Sequence, residues 1–132
     1  MMCKVVIDTN IFISSRITAA GNPAKIMDLI AEERIELCYS PDILDEYKRV
    51  LAYKKFNFSI KSQVLAIEDI VNIGVMVNPA VSEISLPDES DRVFYDTANA
   101  AGAYLITGNK KHYPEETHIL TPAQFLELFE MD

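Results

Sequence analysis

Tryptophan is absent from the 132 residues, and there are only two cysteines, two histidines and four glycines. Cys3 and Cys38 cannot staple a small disulfide scaffold and form no C-x-x-C pair, so two buried, reduced thiols are expected. His112 and His118 share no zinc-type spacing with either cysteine. No apolar run approaches the roughly 18 residues of a membrane-spanning helix. The chain enters residues 5–7 with neither a basic region nor a small-residue cleavage site, so no signal peptide and a cytoplasmic location are expected. Positive charge is scarce too: 12 Lys and Arg stand against 20 Asp and Glu, a net charge of −8. A protein that held nucleic acid by bulk electrostatics would be basic. Either nucleic acid is not the partner, or the acids include a cluster that bound cations offset.

What is present suits a packed core. Hydrophobic residues make up 49% and charged residues 24%, which sets disorder aside, and the length suits one domain over 1–132. Short β-branched runs alternate with longer helical stretches, the signature of an α/β protein with a mostly parallel sheet of four to five strands. Strands are expected at 4–7, 35–39, 75–77, 104–107 and 117–120. Asn22-Pro23, Ser40-Pro41 and Thr121-Pro122 each place a capping side chain before a proline pre-set for a first helical turn, launching helices at 23–33, 41–52 and 122–130. Gln124 stands where a capping box needs it. Helical spacing at Ile60, Val64, Ile67 and Val71 marks a further helix over 60–72, and 78–89 is polar loop. Ser90 is placed to cap a last helix that Gly102 ends.

The acids fall at telling places. Asp8 directly follows the first strand, where α/β sheets bind ligands, although it could equally cap a helix. Glu46 borders the apolar stripe of Ile43, Tyr47 and Val50, a position more often solvated than functional. Asp91 tops the face of Phe94, Tyr95 and Ala98, so its carboxylate needs a backbone N–H or a metal ion as partner. An ion pair with Arg92 accounts for Asp96, and solubility for Asp88 and Glu89. Jointly, Asp8, Glu46 and Asp91 project to one edge of the sheet. Two unit charges about 4 Å apart repel by roughly 4 kcal/mol at an effective dielectric of 20, so such a cluster calls for bound cations or raised pKa values. Oxygen-only ligands select Mg²⁺ or Mn²⁺ over zinc.

Four blocks follow one another in order: Val5-Val6-Ile7-Asp8-Thr9-Asn10-Ile11-Phe12-Ile13-Ser14, the stretch from Tyr39 to Leu51 with Glu46, the stretch from Asp88 to Ala98 with Asp91, and Gly102 to Asn109. Together they resemble the PIN-domain nucleases, within them the subgroup of toxin components of toxin–antitoxin modules (VapC-like). Each alone is weak; four at this spacing are specific. The fourth block commonly ends in aspartate, and here it ends in Asn109, which offers a carbonyl oxygen without the charge. The site would then hold one tight metal, or Asp96 or Asp88 would fill the vacancy, or the domain would be catalytically weak.

The resemblance implies a three-layer α/β/α fold and Mg²⁺- or Mn²⁺-dependent endonucleolytic cleavage of single-stranded RNA. Asp8, Glu46 and Asp91 would hold metal, Asp96 would join the catalytic set, and Thr9, Asn10, Ser14, Thr107 and Asn109 would orient ligands from behind. Lys54-Lys55, Arg92 and Lys110-Lys111-His112 are the cations available to substrate, and Tyr113 could stack on a base. A cognate antitoxin and a homodimer are implied in the same way. The main alternative is a silent module of the same fold that binds RNA or a protein without turnover, motivated by Asn109. A phosphorylation-receiver domain would need adjacent acids after strand one and an aspartate after strand three, where this chain has Thr9-Asn10 and Asn78.

Overall fold

The computed structural model describes residues 2–130. Five strands form one parallel sheet in the order β3-β2-β1-β4-β5. The strands are β1 (Lys4–Ile7), β2 (Glu36–Tyr39), β3 (Val75–Met76), β4 (Tyr104–Ile106) and β5 (Ile119–Leu120). Six helices connect and cover them: α1 (Thr9–Ile17), α2 (Asn22–Ala31), α3 (Pro41–Leu51), α4 (Ile60–Ile73), α5 (Arg92–Ala101) and α6 (Pro122–Glu130). Central β1 registers Val5 against Leu37 on one side and Tyr104 on the other. Val5, Val6 and Ile7 are all essentially inaccessible. Successive strand residues point to opposite faces, so both faces of the sheet are covered, as a parallel sheet requires.

The helix starts show which local signals act. Ser40 Oγ accepts the Ile43 N–H at 3.2 Å, capping α3 as its sequence implies. The Thr121–Gln124 capping box closes in both directions, at 3.2 Å and 3.0 Å. Asn22 does not cap: it is the first residue of α2, and Gly21 holds the cap position without a side-chain bond. Ser90 does not cap either. A 3₁₀ turn at Glu89–Asp91 precedes α5, and Asp88 Oδ1 takes both the Ser90 N–H at 2.9 Å and the Ser90 hydroxyl at 2.8 Å. Gly102 ends α5 at φ 65°, a left-handed conformation that favours glycine.

Three expected elements shift. Residues 9–17, which carried no expected helix, form α1. The edge strand β3 is two residues long, and β5 spans only Ile119–Leu120. Cys38 is buried in β2, whereas Cys3 is only half-buried.

Candidate active site

Asp8 and Thr107 follow the carboxyl ends of β1 and β4, neighbours between which the strand order reverses. Parallel sheets bind ligands at such a switch point. The Asp8 N–H continues the ladder by donating to Ile106 C=O at 3.0 Å, which fixes the side chain at the mouth of the crevice. Its two oxygens divide the work. Oδ1 accepts the Ile11 N–H at 3.3 Å and caps α1, while Oδ2 accepts the Thr107 hydroxyl at 2.5 Å. Burial pushes the Asp8 carboxyl above its ordinary pKa, and Glu46 adds repulsion. The Thr107 hydroxyl and the backbone N–H groups of Ile11 and Asn10 pull the other way. Thr107 is fully buried, and its oxygen also accepts the Asn109 N–H at 3.0 Å.

Glu46 comes from α3, whose next residue locks the helix in place. The Tyr47 ring stacks on Phe12 with centroids 4.3 Å apart, and its hydroxyl donates to Ile7 C=O, one residue before Asp8. Glu46 Oε2 accepts the Thr9 hydroxyl, and Oε1 lies 3.3 Å from an Arg49 nitrogen. Thr9 thus ties the first acid's neighbour to the second acid.

Asp91 ends the 3₁₀ turn before α5. Its Oδ2 lies 3.1 Å from His112 Nδ1, an ion-pair distance. The oxygen is fully buried, with His112 facing it across that distance. Burial comes first among the causes that raise the Asp91 pKa, followed by repulsion from Asp88; His112 opposes this, and Asp8 adds to it. Asp88 goes the other way, its carboxyl held low by the two Ser90 bonds. Asn109 turns its amide toward His112, Nδ2 to Nε2 at 2.9 Å.

Asp8, Glu46, Asp88 and Asp91 line one cleft of about 230 Å³ together with Asn109 and His112. A larger cavity of about 760 Å³ lies between α2 and α6, against Cys3 before β1 and Tyr104 at the amino end of β4, the wrong end of the sheet for ligand chemistry. Among the described residues no three His, Cys, Asp or Glu side chains converge as a ready-made metal cage. The donors nevertheless fit a hard dication. Mg²⁺ keeps several of its waters and is commonly held by one or two carboxylates. Buried carboxylates that repel one another are what such an ion compensates.

A model of the PIN domain matches residues 4–111. The chain belongs to the PIN domain family. PIN domains are generally nucleases that use divalent metals, and a hydrolase of that type agrees with a carboxylate-lined cleft at the sheet's switch point. The chain is also 35% identical over 142 residues to the uncharacterized protein MJ1680 of Methanocaldococcus jannaschii, covering 96% of this chain and 92% of that protein. The crystal structure of PAE2754 from Pyrobaculum aerophilum superposes with a TM-score of 0.64, covering 98% of this chain and 91% of that one. At 9% identity this likeness is one of fold, and it agrees with the expected α/β architecture.

Several residues that the sequence marked for this PIN domain's site lie elsewhere. Asp96 is outside the cleft, buried at a separate pocket, where Oδ2 accepts the Ser82 N–H at 3.1 Å. Arg92 pairs with Glu89 at 2.7 Å rather than with Asp96. It also donates to the Ser82 carbonyl at 2.9 Å and to the Ile84 carbonyl at 2.5 Å, so it anchors the loop and lies outside the cleft. Lys110 reaches Gln124 Oε1 at 3.2 Å, Lys111 is exposed outside the cleft, and Ser14 is on the exposed side of α1. Tyr113 cannot stack on a base because it is buried, its hydroxyl without a partner among the described residues. Thr9, Asn10, Asn109 and His112 do line the cleft. Arg49, Tyr53 and Phe56 line it as well and were not anticipated, although Glu46, Arg49 and Tyr53 at i, i+3 and i+7 share one helical face.

Proposed function

We propose that this PIN domain is a metal-dependent endoribonuclease acting on single-stranded RNA, with Asp8, Glu46 and Asp91 as the carboxylates that hold Mg²⁺ or Mn²⁺. The observation that carries the reading is the convergence of Asp8, Glu46 and Asp91 in one cleft at the sheet's switch point, with burial and mutual repulsion raising the Asp8 and Asp91 carboxyls. A bound dication supplies a Lewis-acidic charge against the phosphate and makes a nucleophile available from water at neutral pH. The chain's own groups do the rest. Thr107 and the α1 N-terminus fix both Asp8 oxygens, Thr9 sets the Glu46 carboxylate, and Tyr47 holds α3 against the end of β1. Asn109 Nδ2 at 2.9 Å and Asp91 Oδ2 at 3.1 Å hold the two ring nitrogens of His112, which fixes the imidazole at the edge of the cleft. Asp96 supports the loop and is not one of the metal-holding acids.

The four sequence blocks support a role as the toxin of a toxin–antitoxin module. A cognate antitoxin would then cover the cleft with a basic side chain, and the active form would be a homodimer. The test is cleavage of a labelled RNA pool with Mn²⁺ or Mg²⁺, comparing wild type with Asp8→Asn and Glu46→Gln. Both substitutions and chelator abolish cleavage; activity that survives them sinks the proposal, and binding without any turnover in wild type points to a silent module. Asn109→Asp raises activity if the native site is a thinned four-acid one.

A further inference from the structure

One wall of the cleft is aromatic and basic. Arg49 lies 3.3 Å from Glu46 Oε1, donates to the Tyr53 hydroxyl at 2.5 Å, and holds its guanidinium carbon 5.8 Å from the Tyr53 ring centroid. The 3₁₀ turn Lys54–Phe56 then folds the chain back, so that the Phe56 ring lies within 6° of parallel to Tyr53 with centroids 6.5 Å apart. Lys55 Nζ is 5.1 Å from the Phe56 centroid. Phe58, half-buried against the core, backs Phe56 from 6.1 Å and gives the turn a fixed seat. Core packing accounts for Phe58 and part of Phe56. It does not account for Tyr53, which leaves 40% of its surface in water within the cleft that holds the acids.

Parallel aromatic rings flanked by cations, open to solvent beside a phosphate-handling site, match what single strands use: bases stack on the rings and the flanking charges track the backbone. We propose that Tyr53 and Phe56 form a base-stacking platform for single-stranded nucleic acid, with Arg49 and Lys55 taking the adjoining phosphates. This rests on the nuclease reading for the identity of the ligand. It also answers the charge problem: in a chain of net charge −8, stacking supplies attraction that does not depend on bulk electrostatics. A platform of this kind is tolerant of sequence, because every base has a π-face.

The test uses the full chain with Ca²⁺ as the divalent ion and two labelled probes, an adenosine 12-mer and a 12-mer of the same backbone with abasic residues. Wild type binds the base-bearing strand about tenfold more tightly than the abasic one. Tyr53→Leu and Phe56→Leu bring that ratio close to one. Tyr53→Trp keeps the ratio and, because the chain has no tryptophan, introduces a single fluorophore that the base-bearing strand quenches and the abasic strand does not. A wild-type ratio near one, an unaltered ratio in Tyr53→Leu, or an unquenched fluorophore in Tyr53→Trp overturns the platform. Failure of the nuclease reading looks different: Mn²⁺-dependent cleavage is missing while the ratio and the quench remain.

Discussion

Replacing Thr107 with valine tests how the site is held together. The side chain is fully buried, and valine keeps its shape, so packing changes little. What goes is the hydroxyl that donates to Asp8 Oδ2 at 2.5 Å and accepts the Asn109 N–H at 3.0 Å. A hydrogen bond to a charged group contributes about 1.5–3 kcal/mol, and the Asp8 oxygen left behind is buried. Metal-free Thr107→Val should therefore be less stable by about 2 kcal/mol near neutral pH, melting roughly 6–10 °C lower. The pH dependence separates this from a packing defect. The Asp8 pKa is raised in the folded chain, so its stability contribution is complete below the unfolded value and lost as pH rises through the folded one. Removing a bond to the ionised form raises the folded value further and deepens that loss. The deficit of Thr107→Val should be large at pH 7.5 and shrink as pH falls into the carboxylate range. Urea unfolding followed by far-ultraviolet circular dichroism in chelator measures it at both ends. A deficit below about 0.5 kcal/mol, or one equal at both pH values, refutes the account of how Asp8 is held.

Mg²⁺ at about a hundredfold excess over its Kd should stabilise wild type by about 2.7 kcal/mol, a gain that thermal melts should show strongly reduced in Asp91→Asn. Tyr113→Phe removes a buried hydroxyl without a partner among the described residues, so it should leave metal-free stability unchanged or raise it by about 1 kcal/mol; a loss in urea titration counts against the assignment. A Cβ at position 74 would lie 2.7 Å from Ile70 C=O and 2.8 Å from the Tyr39 ring, so Gly74→Ala should cost about 1–3 kcal/mol, read by the same titration. Asp96→Ala should speed amide exchange at Ser82 while leaving cleavage at or near wild-type rate; loss of catalysis in a folded variant would return Asp96 to the active set.

The sheet was legible because β1, β2 and β4 are short apolar runs ended by polar residues, and because Ser40 and the Thr121–Gln124 box are complete local signals. The shared edge of Asp8, Glu46 and Asp91 followed from their places after strands and at helix starts. Helix α1 was not legible: it buries Ile11, Phe12 and Ile13 in succession, without a helical period, and is held by tertiary packing and the Asp8 cap. Arg92 and Asp96 misled because a side chain's neighbours along a helix are visible in sequence, whereas partners at Ser82 and Ile84 across a loop are not. Tyr113 misled likewise: an aromatic next to a basic run looks exposed until the fold buries it.

The Thr107–Asp8 bond joins positions 99 residues apart, and β1 gains its β4 neighbour only through residues 104–106. A chain made from its amino end therefore carries Asp8, Glu46 and Asp91 before it can complete the crevice between them. Until residues 104–107 have joined the sheet, Asp8 lacks its hydroxyl donor and one side of its strand stays open. A carboxylate cleft built this way would gain its last partners only once residues 104–107 have joined the sheet, so the acids alone do not make the site.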